Sequence, residues 1–388
     1  MPATSKPSPD IGIIGYSETA YEKKTTRTLI SMLAEAARKA ADSAGLARRD
    51  IDGIAVCSFV LPPDNAVTLA EQLGIPVSWA YFGTAGGAGP VASVINAARA
   101  IEAGHARTVL CLAADNYDVA GHYRLMDLFN KALINYGTPN GFGGANGLFG
   151  IIQRKHMEAF GTRREQLGRI AVGQRASARR NENALLRGPM TIDDYLNCRA
   201  IADPLHLYDC VLPCAGADAV VVGALDRAPP GKGIRILAGF EQHNHPAGEI
   251  APLRGGWELY RDRLWADSGF GPADVDFVQA YDDYPIMVAI QLEDHGFCPK
   301  GDAGGFLAER TFSFDGSFPL NTNGGQLSCG QAGAAGGMIG LVEAVRQLRN
   351  EAGPFQVSRA RRGLVSGYGM VGYGHGLSSS SIVVERVP

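Results

Sequence analysis

Apolar positions along the chain follow two alternating patterns. Near-continuous apolar runs at 108–114 (TVLCLAA) and 217–223 (ADAVVVG) read as strands covered on both faces. Shorter runs at 11–15, 53–59, 233–239 and 275–280 read the same way. Between them, apolar residues recur at helical spacing. Leu29, Met32, Leu33, Ala36 and Ala40 mark a helix over 28–44, and 68–73, 257–268 and 286–295 follow the same rule. Strands alternating with helices predict a mostly parallel sheet with helices on both sides. From about 116 to 200 the alternation stops. A glycine/asparagine loop at 137–147 and helices at 148–160 and 164–181 make this stretch an insertion. Residues 227–232 read as a crossover, and 362–368 and 379–387 as two strands flanking a glycine loop at 369–377.

The pattern also repeats. Laid over one another without gaps, 83–101 and 330–348 share Gly83/Gly330, Ala85/Ala332, Gly86/Gly333, Ala88/Ala335, Gly89/Gly336, Ala97/Ala344 and Arg99/Arg346. A second echo in the same order links the segment ending at Cys57 (ADSAGLARRDIDGIAVC) to the one ending at Tyr281 (ADSGFGPADVDFVQAY). Two copies of one α/β unit follow. One half is 1–115 with 201–228, the inserted loop domain is 116–200, and the second half is 229–388.

Composition narrows the class. With 388 residues, 46% hydrophobic and 19% charged, the chain is long enough for two halves around a sizeable core. A net charge of −3 gives no reason to expect nucleic acid or membrane partners. Seven cysteines form no CxxC pair, and Cys210 and Cys214 lack two further ligands for zinc. A polar start and the lack of a membrane-length apolar run lead to the expectation of a cytoplasmic protein. The insertion carries a basic tract: Arg154, Lys155, Arg163, Arg164, Arg169, Arg175, Arg179 and Arg180. Such a tract suits polyanionic phosphates or is simply a solvated helix face.

Duplicated halves, an insertion and glycine loops at matching strand ends resemble the thiolase superfamily, most closely the sterol-carrier-protein-x thiolases and lipid-transfer thiolase-like proteins. The stretches that carry this are HMEAFGTRREQLGRIAV (156–172), IADPLHLYDCVLPCAGADAVVV (201–222), NTNGGQLSCGQAG (321–333) and the C-terminal glycine loop. The resemblance implies a duplicated thiolase fold: five layers, αβαβα, with two mixed sheets and an inserted loop domain. The family's nucleophilic cysteine falls at Gly87, with no cysteine anywhere from 58 to 110. Its Asn-Glu-Ala-Phe or His-Asp-Cys-Phe motif falls on Tyr281-Asp282-Asp283-Tyr284, the Gly-His-Pro histidine on Gln331, and the Cys-x-Gly motif near Tyr373-Gly374-His375.

Claisen chemistry through an acyl-enzyme needs a thiolate and a base to generate it. Neither is present at the family's positions, so ordinary thiolysis is not expected; a relocated thiol at Cys210, Cys214 or Cys329 is the minor alternative. Retro-aldol cleavage of a β-hydroxyacyl-CoA needs no covalent intermediate, and degenerate members of this branch resemble aldol lyases that shorten the side chains of steroid-like CoA esters. The expected acid or base is Tyr281, with Tyr373 second and His375 as relay, or else tyrosine as donor with His375 as base. Gly87, Gln331 and Asp282 are expected to hold or position the oxyanion and substrate, with Asp282 or Asp283 able to orient a partner. Arg154, Arg179 and Arg180 are expected to meet the coenzyme A phosphates. A free tyrosine titrates near 10, and a carboxylate beside it raises that value. The resemblance implies no cofactor in this chain, coenzyme A as part of the substrate, a homodimer core, and a small partner with a zinc ribbon and an OB-fold. The contrasting expectation is a non-catalytic subunit that scaffolds that partner or an active thiolase.

Overall fold

The computed structural model describes residues 10–127, 131–141, 144–372 and 375–387, with Asp127 and His375 described by backbone alone. The first half runs β1 (Ile11–Glu18), α1 (Leu29–Ser43), β2 (Gly53–Cys57), α2 (Ala66–Leu73), β3 (Trp79–Gly83), α3 (Gly89–Glu102) and β4 (Thr108–Asn116). Next come α4 (Val119–Asp127), α5 (Gly144–Phe160), α6 (Arg164–Ala178), α7 (Ile192–Asn197) and a two-stranded ribbon, β5 (Ala200–Ala202) with β6 (Leu205–His206). Strand β7 (Ala215–Ala224) then returns to the main sheet. The second half is β8 (Ile234–His243), α8 (Trp257–Ser268), β9 (Phe277–Gln279), α9 (Pro285–Asp294), α10 (Ala303–Ala308), α11 (Gly325–Cys329), α12 (Ile339–Leu348), β10 (Arg362–Gly372) and β11 (His375–Arg386).

Local chemistry sets these boundaries. Thr28 starts α1 because its side chain accepts the Ser31 N–H, and Gly74 in the left-handed conformation stops α2. In β4, Val109 and Cys111 face one apolar cluster while Leu110 and Leu112 face another, so the continuous apolar run is a strand buried on both sides.

Those clusters define the layers. Met32 and Leu33 of α1 and Leu69 of α2 pack on the outer face of the first half. Val91 and Val94 of α3 and Val342 and Val345 of α12 fill the middle, between β4 and β7 on one side and β10 and β11 on the other. Trp257 and Leu264 of α8 and Val288 of α9 cover the outer face of the second half. The strand order is β3-β2-β4-β7-β1-β8-β11-β10-β9, and the half-sheets meet at Gly12 with Arg235 and Ile13 with Ile234.

The sheet is mixed, which corrects the mostly parallel arrangement that alternation alone predicts. Only β2–β3, β2–β4 and β9–β10 run parallel. Strand β7 returns from the insertion antiparallel to both β4 and β1, and the β10–β11 hairpin reverses the second half. The expected glycine loop at 369–377 is also corrected. Gly369 pairs with Ser378 and Val371 with Gly376, so the hairpin extends through it. Glycine weakens a strand intrinsically, but here the partner strand supplies the pairing.

The internal repeat is real in three dimensions. Gly86 and Gly333, matched in the sequence overlay, have φ of 56° and 54°, a left-handed conformation at which a Cβ is strained. Each opens a 3₁₀ turn that runs into the buried central helix of its half, α3 or α12.

Candidate active site

A cavity of about 400 Å³ opens where the two repeated loops meet the insertion. Gly87, Tyr281, Asp283, Gln331 and Tyr368 line one part of it. Val119, Met126, Leu133, Leu148, Leu186 and Leu207 line another, giving largely apolar walls with a few convergent polar groups.

Tyr281 follows the short strand β9, and its backbone is clamped from two sides. Gln291 of α9 accepts from the Tyr281 N–H (3.2 Å) and donates to its carbonyl (2.7 Å). Asn321 makes the same two-way clasp on Ala280, accepting at 2.8 Å and donating at 2.9 Å. The ring lies over Gly87, where a Cβ would fall on the Tyr281 ring carbons and on the Tyr368 carbonyl, far inside van der Waals contact. The position at which the resemblance places a thiol is therefore filled by a phenol. Gln331 Nε2 donates to the Tyr281 hydroxyl (3.3 Å), which leaves the phenolic proton free to point elsewhere.

Electrostatics fix its form. Burial, then the charges of Asp283 and Asp282, push the Tyr281 phenol well above its ordinary range, against a smaller opposing effect of the Gln331 bond. Tyr281 is thus held protonated and is a hydrogen-bond donor, not a base. The same holds for Tyr368, raised by burial and by Asp283. Among the described residues no side chain holds its hydroxyl, which meets the Gly376 backbone, and its ring centroid lies 6.2 Å from that of Tyr281.

The two adjacent aspartates face opposite ways. Asp282 accepts from the backbone N–H groups of Gln326 (3.0 Å) and Leu327 (3.2 Å) and from Gln326 Nε2 (3.3 Å), so it holds the start of α11 and does not line the large cavity. Burial still lifts its carboxyl to about 7. Asp283 does line the cavity, is 8% exposed, and has an Oδ1 with no partner. Burial and the neighbouring Asp282 push it well above the carboxylate range. Of the two aspartates expected to orient a group, Asp282 does not line the cavity and Asp283 does, and the strand-to-turn reversal at 280–284 decides which of the two points inward.

Of the other expected residues, Gly87 and Gln331 stand in the cavity wall beside Tyr281. Tyr373 and the His375 side chain lie outside the described residues. The three arginines are not brought to the cavity wall. Arg154 pairs with Asp203, and Arg179 and Arg180 are exposed at and beyond the end of α6. The cations that line the cavity are Arg175 and Arg199. Much of the basic tract is used internally: Arg169 donates to the Arg310 carbonyl (2.9 Å), Lys155 to the Ala251 carbonyl (3.0 Å), and Arg164 to the Leu196 carbonyl (3.2 Å).

Sequence reasoning missed Tyr368, Gln291, Asn321 and Asp115. Asp115, at the end of β4, accepts from Ser58 Oγ (2.7 Å), the N–H groups of Phe59 and Val60, and Ala334 N–H (2.7 Å), so it ties the second glycine loop to the first half. A polar residue ending an otherwise apolar strand was the available signal. Thiols do not replace the missing nucleophile. Cys210 lines the cavity, but burial pushes it up to about 12, and Cys329 is buried and raised further still. Neither is poised as a thiolate. Among the described residues no group of three or more His, Cys, Asp or Glu side chains is placed to hold a metal, and no helix is long and apolar enough to cross a membrane.

Comparison with known proteins agrees with this geometry. The family description "Thiolase C-terminal domain-like" matches residues 262–384. The steroid side-chain-cleaving aldolase of Thermomonospora curvata is 32% identical, over 87% of this chain and 90% of that protein. The 17-hydroxy-3-oxo-4-pregnene-20-carboxyl-CoA lyase of Mycobacterium tuberculosis is 33% identical, over 87% of this chain and 91% of that protein. The solved Ltp2-ChsH2(DUF35) aldolase superposes with a TM-score of 0.85 at 29% identity, covering 97% of this chain and 98% of that one. With a phenol where the resemblance expects a thiol and two relatives above 30% identity over nearly their whole length, the chain belongs to the thiolase superfamily, in its sterol-carrier-protein-x-like branch of side-chain-cleaving aldolases.

Proposed function

We propose that this protein is a carbon–carbon lyase that cleaves a β-hydroxyacyl-CoA with a bulky, steroid-like acyl group by retro-aldol scission. The observation that carries this reading is the Tyr281 ring packed on Gly87 beside Asp283, whose Oδ1 has no partner among the described residues. That arrangement removes the covalent route and supplies a proton donor and a proton acceptor in one apolar-walled cavity.

In this mechanism Asp283 removes the β-hydroxyl proton. The Cα–Cβ bond breaks, the β-carbon leaves as a ketone or aldehyde, and the electron pair passes to the thioester as its enolate. Tyr281 donates to the enolate oxygen, and Gly87, two residues before α3, presents backbone at the positive end of a buried helix. Gln331 keeps the phenol oriented. The proton on Asp283 then returns to Cα, giving the shortened acyl-CoA with no net change in the enzyme. A carboxyl whose proton affinity is raised by burial suits this double use, because it both accepts the β-hydroxyl proton and returns it to Cα. Tyr368 is the second donor, and Tyr373 and His375 are further candidate proton-transfer groups.

Arg179 and Arg180 at the end of α6, with Arg154, remain the residues assigned to the coenzyme A phosphates, outside the cavity wall. The chain needs no cofactor of its own. It forms a homodimer, for which the open edge strand β3 is available, and works with a small zinc-ribbon/OB-fold protein. The solved relative pairing Ltp2 with ChsH2(DUF35) supports that partner.

The test is incubation with β-hydroxyacyl-CoA esters, with and without a co-purifying partner and without added coenzyme A. A shortened acyl-CoA and a carbonyl product, lost in Tyr281→Phe, supports the lyase. Cleavage only on addition of free coenzyme A would mean a thiolase with a displaced nucleophile, and a stable complex without turnover would mean a scaffold.

A further inference from the structure

Three arginines are buried among the described residues, and two are fully accommodated. Arg346 sits between Glu18 (2.6 Å) and Glu343 (2.8 Å). Arg349 donates from Nε to the Lys232 carbonyl (2.8 Å), from Nη1 to Ser43 Oγ (2.9 Å) and from Nη2 to the Ile14 carbonyl (2.7 Å). Arg175 has neither arrangement. It is 7% exposed, donates from Nε to Ser328 Oγ (2.9 Å), and lies 5.7 Å from the Tyr208 ring centroid. No carboxylate pairs with it among the described residues, and it lines the large cavity.

A guanidinium withdrawn from water without an oxyanion is costly, and its planar fork matches a carboxylate or phosphate in two parallel bonds. The protein keeps this cation in a largely apolar wall and leaves its forked end without an acceptor. Its anchor, Ser328, is three residues before Gln331, which touches the Tyr281 hydroxyl. Arg175 is therefore tied to the same loop that holds the reacting end of the cavity.

We propose that Arg175 reads an anionic oxygen of the bound thioester, so that the preferred substrate carries a negative charge within the cavity. The proposal rests on the acyl-CoA reading above and adds a specificity determinant to it. Two parts of such a ligand carry this chemistry: a second carboxylate on the acyl group, or a phosphate of coenzyme A.

Equilibrium binding to the full-length protein tests it without requiring turnover. One matched pair is a ring-bearing acyl-pantetheine thioester with a free carboxylate remote from the thioester, and the same compound as its methyl ester. The other pair is coenzyme A and pantetheine. The wild type is expected to prefer the charged member of one pair by about ten- to a hundredfold, the range of a charge-assisted hydrogen bond. Arg175→Gln is expected to abolish that preference while holding the neutral member within about threefold, and Arg175→Lys to retain part of it. A preference in the first pair that Arg175→Gln abolishes assigns the acyl carboxylate, one in the second pair that it abolishes assigns the phosphate, and a preference that survives Arg175→Gln overturns the proposal. Absence of preference in both pairs for the wild type overturns the proposal whether or not either variant folds. Because carbon–carbon cleavage is not measured, failure of this inference and failure of the lyase reading are separately visible.

Discussion

The ring of Tyr281 occupies the space that a side chain at Gly87 would need. The two positions are coupled: a residue larger than glycine at 87 is incompatible with an aromatic ring at 281. Restoring a thiol alone should therefore damage the protein instead of reviving thiolysis. Gly87→Cys is expected to cost about 1–3 kcal/mol through overpacking and to abolish lyase turnover. Gly87→Cys combined with Tyr281→Asn should recover part of that stability, because the contact with the Tyr368 carbonyl remains. A double-mutant cycle in denaturant unfolding measures the coupling. Simple additivity of the two changes would show that the ring and position 87 do not compete.

Tyr281 and Tyr368 both line the cavity and are held protonated, and they are anchored differently. Tyr281 is gripped by the Gln331 side chain, whereas among the described residues no side chain holds the Tyr368 hydroxyl, which meets only the Gly376 backbone. Tyr281→Phe removes a donor that acts at developing charge, and it is expected to lower kcat about 10²- to 10³-fold, as loss of an oxyanion-site donor does. Tyr368→Phe removes a buried hydroxyl that no described side chain holds, so it should lower kcat with little change in melting temperature. Steady-state kinetics beside thermal melts separate the two. A Tyr368→Phe variant with normal kcat would remove Tyr368 from the mechanism.

Asp282 and Asp283 are neighbours in sequence with opposite expected behaviour. Asp282 accepts two backbone N–H groups, and an asparagine there would turn an amide N–H₂ toward one of them. Asp282→Asn is expected to destabilise by about 1–3 kcal/mol. Asp283 has a raised folded-state pKa, so the unfolded chain loses this proton first as pH rises above about 4. The folded state is progressively penalised until the pH passes the folded pKa. Asp283→Asn should then stabilise the protein at neutral pH and gain less at pH 4, while kcat falls about 10²- to 10⁴-fold for loss of the base. Urea unfolding at the two pH values with parallel turnover assays decides it, and unchanged turnover would exclude Asp283 as the base.

The contrast between these aspartates shows where the sequence is legible. The duplicated glycine loops, both central helices and the buried strands β4 and β7 follow from periodicity, because those features are local and repeat. That position 87 lacks a thiol and that Tyr281 stands in the family's motif are also visible in the residues. What is hidden is direction. Whether Asp282 or Asp283 points inward depends on the backbone reversal after β9, set by clasps from Gln291 and Asn321 that are distant in sequence or on the next helix. Tyr368 was obscured for a related reason. A glycine-rich end slides in any overlay, and only pairing of β10 with β11 and β9 fixes its register. The mixed sheet direction likewise comes from how the insertion returns, which apolar periodicity does not encode.

Beyond the cavity, His295 gives a pH signature of the folded second half. Its Nδ1 lies 2.7 Å from the Gln291 carbonyl and its Nε2 lies 2.8 Å from Ser381 Oγ. A carbonyl only accepts, so Nδ1 carries the proton and Nε2 accepts from the serine. Burial lowers the folded-state pKa to about 4, below the ordinary value of about 6.5. Between those values the unfolded chain binds a proton that the folded chain refuses, so the contribution of His295 to stability falls as the pH drops. Asp115 and Asp282, raised to about 7, and Asp294, raised to about 6, act in the opposite sense over the same range. The wild-type curve alone therefore does not isolate the histidine; comparison with His295→Gln does. At pH 7 the substitution is expected to cost about 1–3 kcal/mol through the lost hydrogen bonds. That difference should narrow steadily from pH 6.5 toward 4.5, as wild type alone bears the cost of keeping the ring neutral. A difference in unfolding free energy that stays constant across this range would mean that the histidine is protonated in the folded protein.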